Sequence, residues 1–137
     1  MPEQARITRD VYDRMLSHAR QEPWQECCGL LAGRRGVISV VLPAVNVLAS
    51  PTAFEIAPRQ LFELFHKMRA EGWDHLGIYH SHPDGENAPS RRDIEQAYYP
   101  DAVYCIISPL PENARPVRAF AIRNGKAEEL TIEIVTL

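Results

Sequence analysis

The chain has 137 residues, 45% of them hydrophobic and 24% charged, with a net charge of -3, a size and apolar content that suit one compact domain over residues 1–137. The basic residues are scattered, with Arg34-Arg35 and Arg91-Arg92 as the only doublets, which argues against a nucleic-acid partner. No segment approaches the ~18 consecutive apolar residues of a membrane span, and the first ten residues carry no apolar run behind a basic start, so neither a membrane anchor nor an export signal is expected.

The three cysteines, Cys27, Cys28 and Cys105, are odd in number and two are adjacent. Disulfide frameworks are not laid out that way, so a reducing, cytoplasmic setting is expected.

In chain order, Thr8 is placed to cap a first helix in which Tyr12, Met15, Leu16 and Ala19 follow helical spacing, ending before Pro23. Two apolar runs, Cys28 to Ala32 and Val37 to Leu42, flank Gly33-Arg34-Arg35-Gly36 and read as a hairpin with a glycine-bracketed turn. Ala53 to Ile56 is a shorter strand candidate. Pro58 opens a second helix with Leu61, Leu64, Phe65 and Met68 on one face and Gly72 at its end. Leu76 to His82 returns to strand. A turn-rich loop from Asp84 to Pro89 leads to a third helix from Ser90 to about Tyr99, where Pro100 forbids continuation. Strands follow at Val103 to Ser108, Val117 to Arg123 and Glu128 to Val135. The mixture predicts an α/β fold, a central mixed β-sheet flanked by helices.

The chemistry concentrates in Tyr79-His80-Ser81-His82-Pro83 at the carboxyl end of a strand. Side chains alternate along a strand, so His80 and His82 share a face and one metal ion can bridge them. Pro83 cannot continue a ladder, which places both at the sheet's rim. A lone His-x-His is a weak signal, and a hydrolytic zinc site needs a third ligand, commonly a carboxylate. Asp93, on the first turn of the third helix, is the candidate. Ser90-Arg91-Arg92-Asp93 also reads as a capping box, and the two roles need not compete, because a carboxylate has two oxygens. Hydrolysis calls for a further carboxylate outside the coordination shell. Glu26, just before the apolar run from Cys28 to Leu31, is the choice, with Glu22, Glu55 and Glu86 as rivals readable as surface charge.

These residues resemble the JAMM (MPN-plus) metallopeptidase family. The pattern is a glutamate, then HSH, seven residues, a serine, two residues and an aspartate, met here by Glu26, His80-Ser81-His82, Ser90 and Asp93. The resemblance implies a cytidine-deaminase-like α/β fold and a zinc ion held by His80, His82, Asp93 and a water. It assigns Glu26 as general base and acid, and Ser90 as hydrogen-bond donor to the oxyanion. The implied reaction is amide hydrolysis by attack of zinc-bound hydroxide.

The absence of long insertions looks like the bacterial branch, whose members include enzymes that release cysteine or a peptide from the C-terminal Gly-Gly of ubiquitin-like sulfur-carrier proteins. Such a tail is expected to add along an exposed strand at the sheet rim. Alternatives are a general isopeptidase or dipeptide hydrolase, and a non-catalytic MPN scaffold that binds a partner protein; a homodimer is left open. The zinc-deaminase signature H-x-E with P-C-x-x-C is absent, so nucleobase chemistry is not expected. Cys27 and Cys28 read as packing residues, His18, His66 and His75 as surface or helix residues, Arg91 and Arg92 as solvated helix-end charges, and Trp24, Trp73 and Tyr98 as packing aromatics.

Overall fold

A computed structural model describes residues 4–137 of the chain. Its elements are β1 (Gln4–Thr8), α1 (Arg9–Gln21), β2 (Cys28–Arg34), β3 (Val37–Ala44), α2 (Pro58–Glu71), β4 (Asp74–Ser81), α3 (Arg91–Glu95), β5 (Val103–Ile107), β6 (Val117–Arg123) and β7 (Lys126–Val135). The expected mixed sheet with flanking helices is present, but the sheet closes into a barrel in the order β1-β3-β2-β4-β5-β6-β7.

Closure depends on β1, a strand the sequence reading does not anticipate. It pairs in parallel with both β3 and β7 and joins the ends of the sheet. Only Ala5, Ile7 and Thr8 of its five residues are buried, too short a pattern to stand out before the partners are known.

α1 begins as expected, with Thr8 Oγ1 accepting from Val11 N at 3.3 Å. Its fully buried seam is Val11, Met15 and Ala19, with Tyr12 and Leu16 half-buried at the flanks. The helix packs on β1, β3, β4 and β5. Burying a side chain such as Met15 stabilises by roughly 1.5–3 kcal/mol, and Met15→Ala, which also leaves a cavity, would cost about 2–5 kcal/mol. α2 starts on Pro58 and ends on Gly72 in the left-handed conformation. Its inner face carries Met68, Leu61, Leu64 and Phe65, and packs on the opposite side of β4.

The alternation of β4 sorts its side chains between these two cores. Tyr79 joins the α1 side with Leu31 and Cys105. Ile78 joins the α2 side with Leu30 and Ile106. His80 shares the parity of Ile78 and therefore lies on the α2 side, where Phe54 stacks on its ring at 4.7 Å. Gly29 is required by this arrangement: it pairs with Tyr79, and a Cβ on it would lie 2.5 Å from the tyrosine ring. Gly29 thus makes room for a side chain of the fold.

Several boundaries differ from the sequence reading. The β2–β3 turn is only Arg35-Gly36, both at positive φ, and Gly33 belongs to the strand. The β6–β7 hairpin turns on Asn124-Gly125, again both at positive φ, so β7 begins at Lys126; this Asn-Gly pair was a legible hairpin signal that the reading passes over. Residues 53–56 belong to no strand and pair in no ladder. α3 stops at Glu95, short of the expected Tyr99: Gln96 leaves the helical conformation as the C-cap, and Tyr99 N donates to the Tyr104 hydroxyl at 3.0 Å. Trp24 and Tyr98 are 65% and 74% exposed, so neither packs as expected, whereas Trp73 does pack on the α2-side core. His66 is exposed on α2, but His75 lies on β4 between Phe65 and Tyr99. His18, on α1, bonds the Tyr79 hydroxyl at 2.7 Å and Glu22 at 3.1 Å.

Candidate metal centre

β4 and β5 run parallel, so both carboxyl ends open on the same end of the barrel. The antiparallel register of β2 on β4 sets Cys28 opposite His80. Ser81 N continues the pairing to Cys27 O at 3.0 Å, which brings Glu26 opposite His82. By strand alternation Glu26, Cys28 and Leu30 share a face with Ile78, His80 and His82. The backbone of Glu26 is held on both sides: its N–H donates to Ser50 O at 2.8 Å and its carbonyl accepts from Asn46 Nδ2 at 2.9 Å.

α3 completes the group. Ser90 Oγ accepts from Asp93 N at 3.1 Å and Ser90 N donates to Asp93 Oδ2 at 2.8 Å, so the predicted capping box forms. The same Asp93 carboxylate meets the histidines, with Oδ1 3.1 Å from His80 Nε2 and Oδ2 3.0 Å from His82 Nε2. Cap and imidazole contacts coexist. His80 Nε2 and His82 Nε2 are 3.2 Å apart, and Glu26 Oε2 stands farther back, 3.9 Å from His82 Nε2. One ligating atom from each of Glu26, His80, His82 and Asp93 falls within 4.8 Å of the others. Among the rivals, Glu22 is engaged with His18 and Gln25, Glu55 is exposed, and Glu86 contributes its backbone carbonyl to His82 Nδ1. Cys27 and Cys28 are buried outside the cluster, as packing residues.

The electrostatics favour a cation between these groups. Burial alone would raise the Asp93 carboxyl, but its bonds to His80, His82 and the Ser90 amide hold it well below the ordinary carboxylate range. Burial lowers His80. For His82 burial acts the same way, yet Asp93 and the Glu86 carbonyl outweigh it and leave its affinity for protons raised. Burial also pushes Glu26 up to about 8. With the His82 Nδ1 proton committed to the Glu86 carbonyl at 2.6 Å, Nε2 faces the Asp93 carboxylate, a contact that holds positive charge, whether a proton on the ring or a metal ion in its place.

The distances fit a small tetrahedral ion. Bonds of about 2.0–2.1 Å to nitrogen and oxygen require ligand–ligand edges of about 3.3 Å. His80 Nε2 and His82 Nε2 stand 3.2 Å apart, and each has a different Asp93 oxygen beside it, Oδ1 at 3.1 Å and Oδ2 at 3.0 Å, spacings of the same size. Glu26 Oε1 and His80 Nδ1 are buried without a hydrogen-bond partner among the described residues.

Two hollows meet at the cluster. A cleft of about 310 Å³ is lined by Glu26, Thr52, His82, Asp84, Glu86 and Ser90. On the other side an apolar groove of about 230 Å³, walled by Phe54, Ile56, Ile78, Tyr99 and Tyr104, continues through Phe54, Gln96 and Tyr104 to His80 and Asp93. A larger hollow of about 440 Å³ lies between α1 and the β6–β7 hairpin, but its charged lining is Arg9 with Arg115 and Arg118 paired to Glu129, which is not a set of metal donors.

Two histidines and an aspartate converge at the carboxyl end of a strand, with a glutamate behind them, a donor set that could hold a metal ion. A family model described as prokaryotic homologs of the JAB domain matches residues 8–123. The desampylase of Haloferax volcanii is 38% identical over 110 residues, covering 75% of this chain and 79% of its own. The CysO-cysteine peptidase of Mycobacterium tuberculosis (strain H37Rv) is 30% identical over 131 residues, covering 94% of this chain and 90% of its own. The solution structure of a protein from Desulfitobacterium hafniense is similar at a TM-score of 0.83 and 36% identity, covering 94% of this chain and 91% of that one. The chain belongs to the prokaryotic JAB-domain family, the bacterial single-domain branch of the JAMM/MPN group.

Proposed function

We propose that this protein is a zinc metallopeptidase that hydrolyses the amide bond at the C-terminal Gly-Gly tail of a ubiquitin-like sulfur-carrier protein, releasing cysteine or a peptide. The observation that carries the reading is the convergence of donors on His80, His82 and Asp93, with Glu26 beside them. Similarity to a desampylase and to a CysO-cysteine peptidase supports the substrate class.

His80, His82 and Asp93 would hold the ion. When bound, zinc supplies Lewis acidity and makes a water nucleophilic near neutral pH. Glu26 takes a proton on its carboxylate and returns it to the departing amine, a role its pinned backbone and buried side chain suit. The Ser90 hydroxyl accepts only from Asp93 N, so its own proton is free to donate to the oxyanion.

The carrier tail lies in the apolar groove. Barrel closure pairs the ladder edges, so the exposed-strand expectation transfers to residues 53–56. There Ala53 O and the Glu55 amide and carbonyl bond Asn46 and Val47. The amides and carbonyls of Phe54 and Ile56 have no protein partner among the described residues, which leaves them for an extended tail to add to. The same reading includes a single domain over residues 1–137, a cytidine-deaminase-like topology and a cytoplasmic setting. Free, buried Cys27, Cys28 and Cys105 support that setting, and no helix of the described residues is long and apolar enough to cross a membrane.

The test is incubation of the zinc-loaded protein with a carrier–cysteine adduct, followed by mass spectrometry. Loss of the cysteine mass is expected. An intact adduct beside cleavage of unrelated isopeptides would sink the carrier assignment.

A further inference from the structure

The ring of His82 is set by a contact outside the donor cluster. Its Nδ1 lies 2.6 Å from the Glu86 carbonyl, so this nitrogen carries a proton, and in the neutral ring Nε2 keeps its lone pair toward His80 and Asp93. The position of one loop carbonyl therefore decides whether His82 can act as a ligand. The side chain of Glu86 is exposed, and its own N–H reaches only Asp84 Oδ1, at 3.3 Å. Something else must hold the peptide.

Two asparagines flank it. Asn87 is buried, and its Nδ2 donates to Ile106 O at 3.4 Å and Arg115 O at 2.7 Å. Asn113, in the β5–β6 loop, donates through Nδ2 to Gly85 O at 3.1 Å and Asn87 Oδ1 at 3.2 Å. Its Oδ1 accepts from Arg115 N at 2.8 Å. Both amide groups are thus saturated as donors. Gly85, at φ 95°, leaves no room for a side chain: a Cβ there would lie 2.2 Å from Leu110 Cδ1. The loop after β4 and the loop after β5 interlock on either side of Glu86.

We propose that Asn87 and Asn113 form a clasp that positions the Glu86 carbonyl, and through it fixes the tautomer and orientation of His82; the inference rests on the reading of His82 as a zinc ligand. Neither asparagine touches the reacting atoms, so both are positioning residues. Their loss should act first on metal affinity, because partners of a ligating histidine typically change it about 10–100-fold.

The decisive variant is Asn113→Asp. It keeps the acceptor for Arg115 N but replaces the donors to Gly85 O and Asn87 Oδ1 with a carboxylate oxygen, so the local turn survives while the clasp opens. Asn87→Ala is the second variant, and Glu112→Ala, on the same loop and outside the clasp, is the control. Zinc affinity is measured by chelator competition. The His82 tautomer is read in the metal-free protein from long-range 15N–1H correlations, at a pH high enough for the ring to be neutral. For Asn113→Asp the expected result is zinc binding weakened about 10–100-fold, with His82 moving from the Nδ1–H form to a mixture, and for Glu112→Ala no change. A His82 ring still wholly in the Nδ1–H form, or zinc affinity within twofold of the parent, overturns the clasp even if the fold is less stable. Because the tautomer is read without metal, a parent chain that takes up no zinc would defeat the proposed function and leave the clasp judged on its own readout. If Asn87→Ala does not fold, Asn113→Asp alone decides.

Discussion

Glu26 faces His82 across the end of the β2–β4 ladder, its Oε2 3.9 Å from the imidazole Nε2, while Asp93 sits 3.0 Å from the same nitrogen. The difference of 0.9 Å between these contacts separates a carboxylate near enough to share an ion from one that stands behind it. Glu26→Gln should therefore keep its metal and lose turnover, by about 10²–10⁴-fold in kcat. Metal content by mass spectrometry, beside kcat on a carrier adduct, checks this; metal lost along with activity would make Glu26 a ligand.

Asp93 closes its own helix and meets both rings, and the two roles can be separated. Asn in its place still offers an oxygen to Ser90 N but carries no charge. Asp93→Asn should retain α3 yet bind metal far more weakly. Ser90→Ala should show the converse, with metal retained, stability lowered by about 1 kcal/mol from the lost cap, and kcat reduced about 10²–10³-fold through the missing oxyanion donor. Equal metal loss in both variants would contradict this division.

Metal binding to the native state alone should raise stability. At a free zinc concentration of about 100 Kd the gain is about 2.7 kcal/mol, read as a shift in Tm on titration and reversed by chelation. His80→Ala should abolish the shift. A parent protein whose Tm is indifferent to zinc would favour the non-catalytic scaffold.

Burial pushes the thiols of Cys27, Cys28 and Cys105 up to about 12, against an ordinary value of 9.0. Because the folded values are raised, their contribution to stability is fully present below about pH 9 and falls as pH rises toward 12. The loss within that window is about 1.4 kcal/mol per pH unit for each thiol. Urea midpoints at pH 7, 9 and 10.5 should fall mainly over the last step. At pH 8 a thiol reagent should find no reactive cysteine in the folded protein and all three in denaturant; rapid reaction of two or more when folded would contradict the burial.

Much of the site was legible because its chemistry is written locally. The spacing of His80 and His82 on a strand, and of Ser90 and Asp93 on the first turn of a helix, is a property of each element, and each element formed. Glu26 was harder. Nothing within reach along the chain separates it from Glu22, Glu55 or Glu86, and only the family pattern singled it out before β2 was seen paired to β4. Asn87 and Asn113 carried no signal at all, since an asparagine in a turn-rich loop is ordinary and their partners lie far apart in sequence.

The sequence by itself determined the two long helices, most strands, the cap at Ser90 and the ligating residue types, because periodicity, capping and side-chain chemistry act over a few residues. Tertiary structure alone decided the closure of the barrel through β1, the shortening of α3 and the joining of the loops behind His82. These depend on register and on hydrogen bonds between distant segments, and a register exists only once two strands have met.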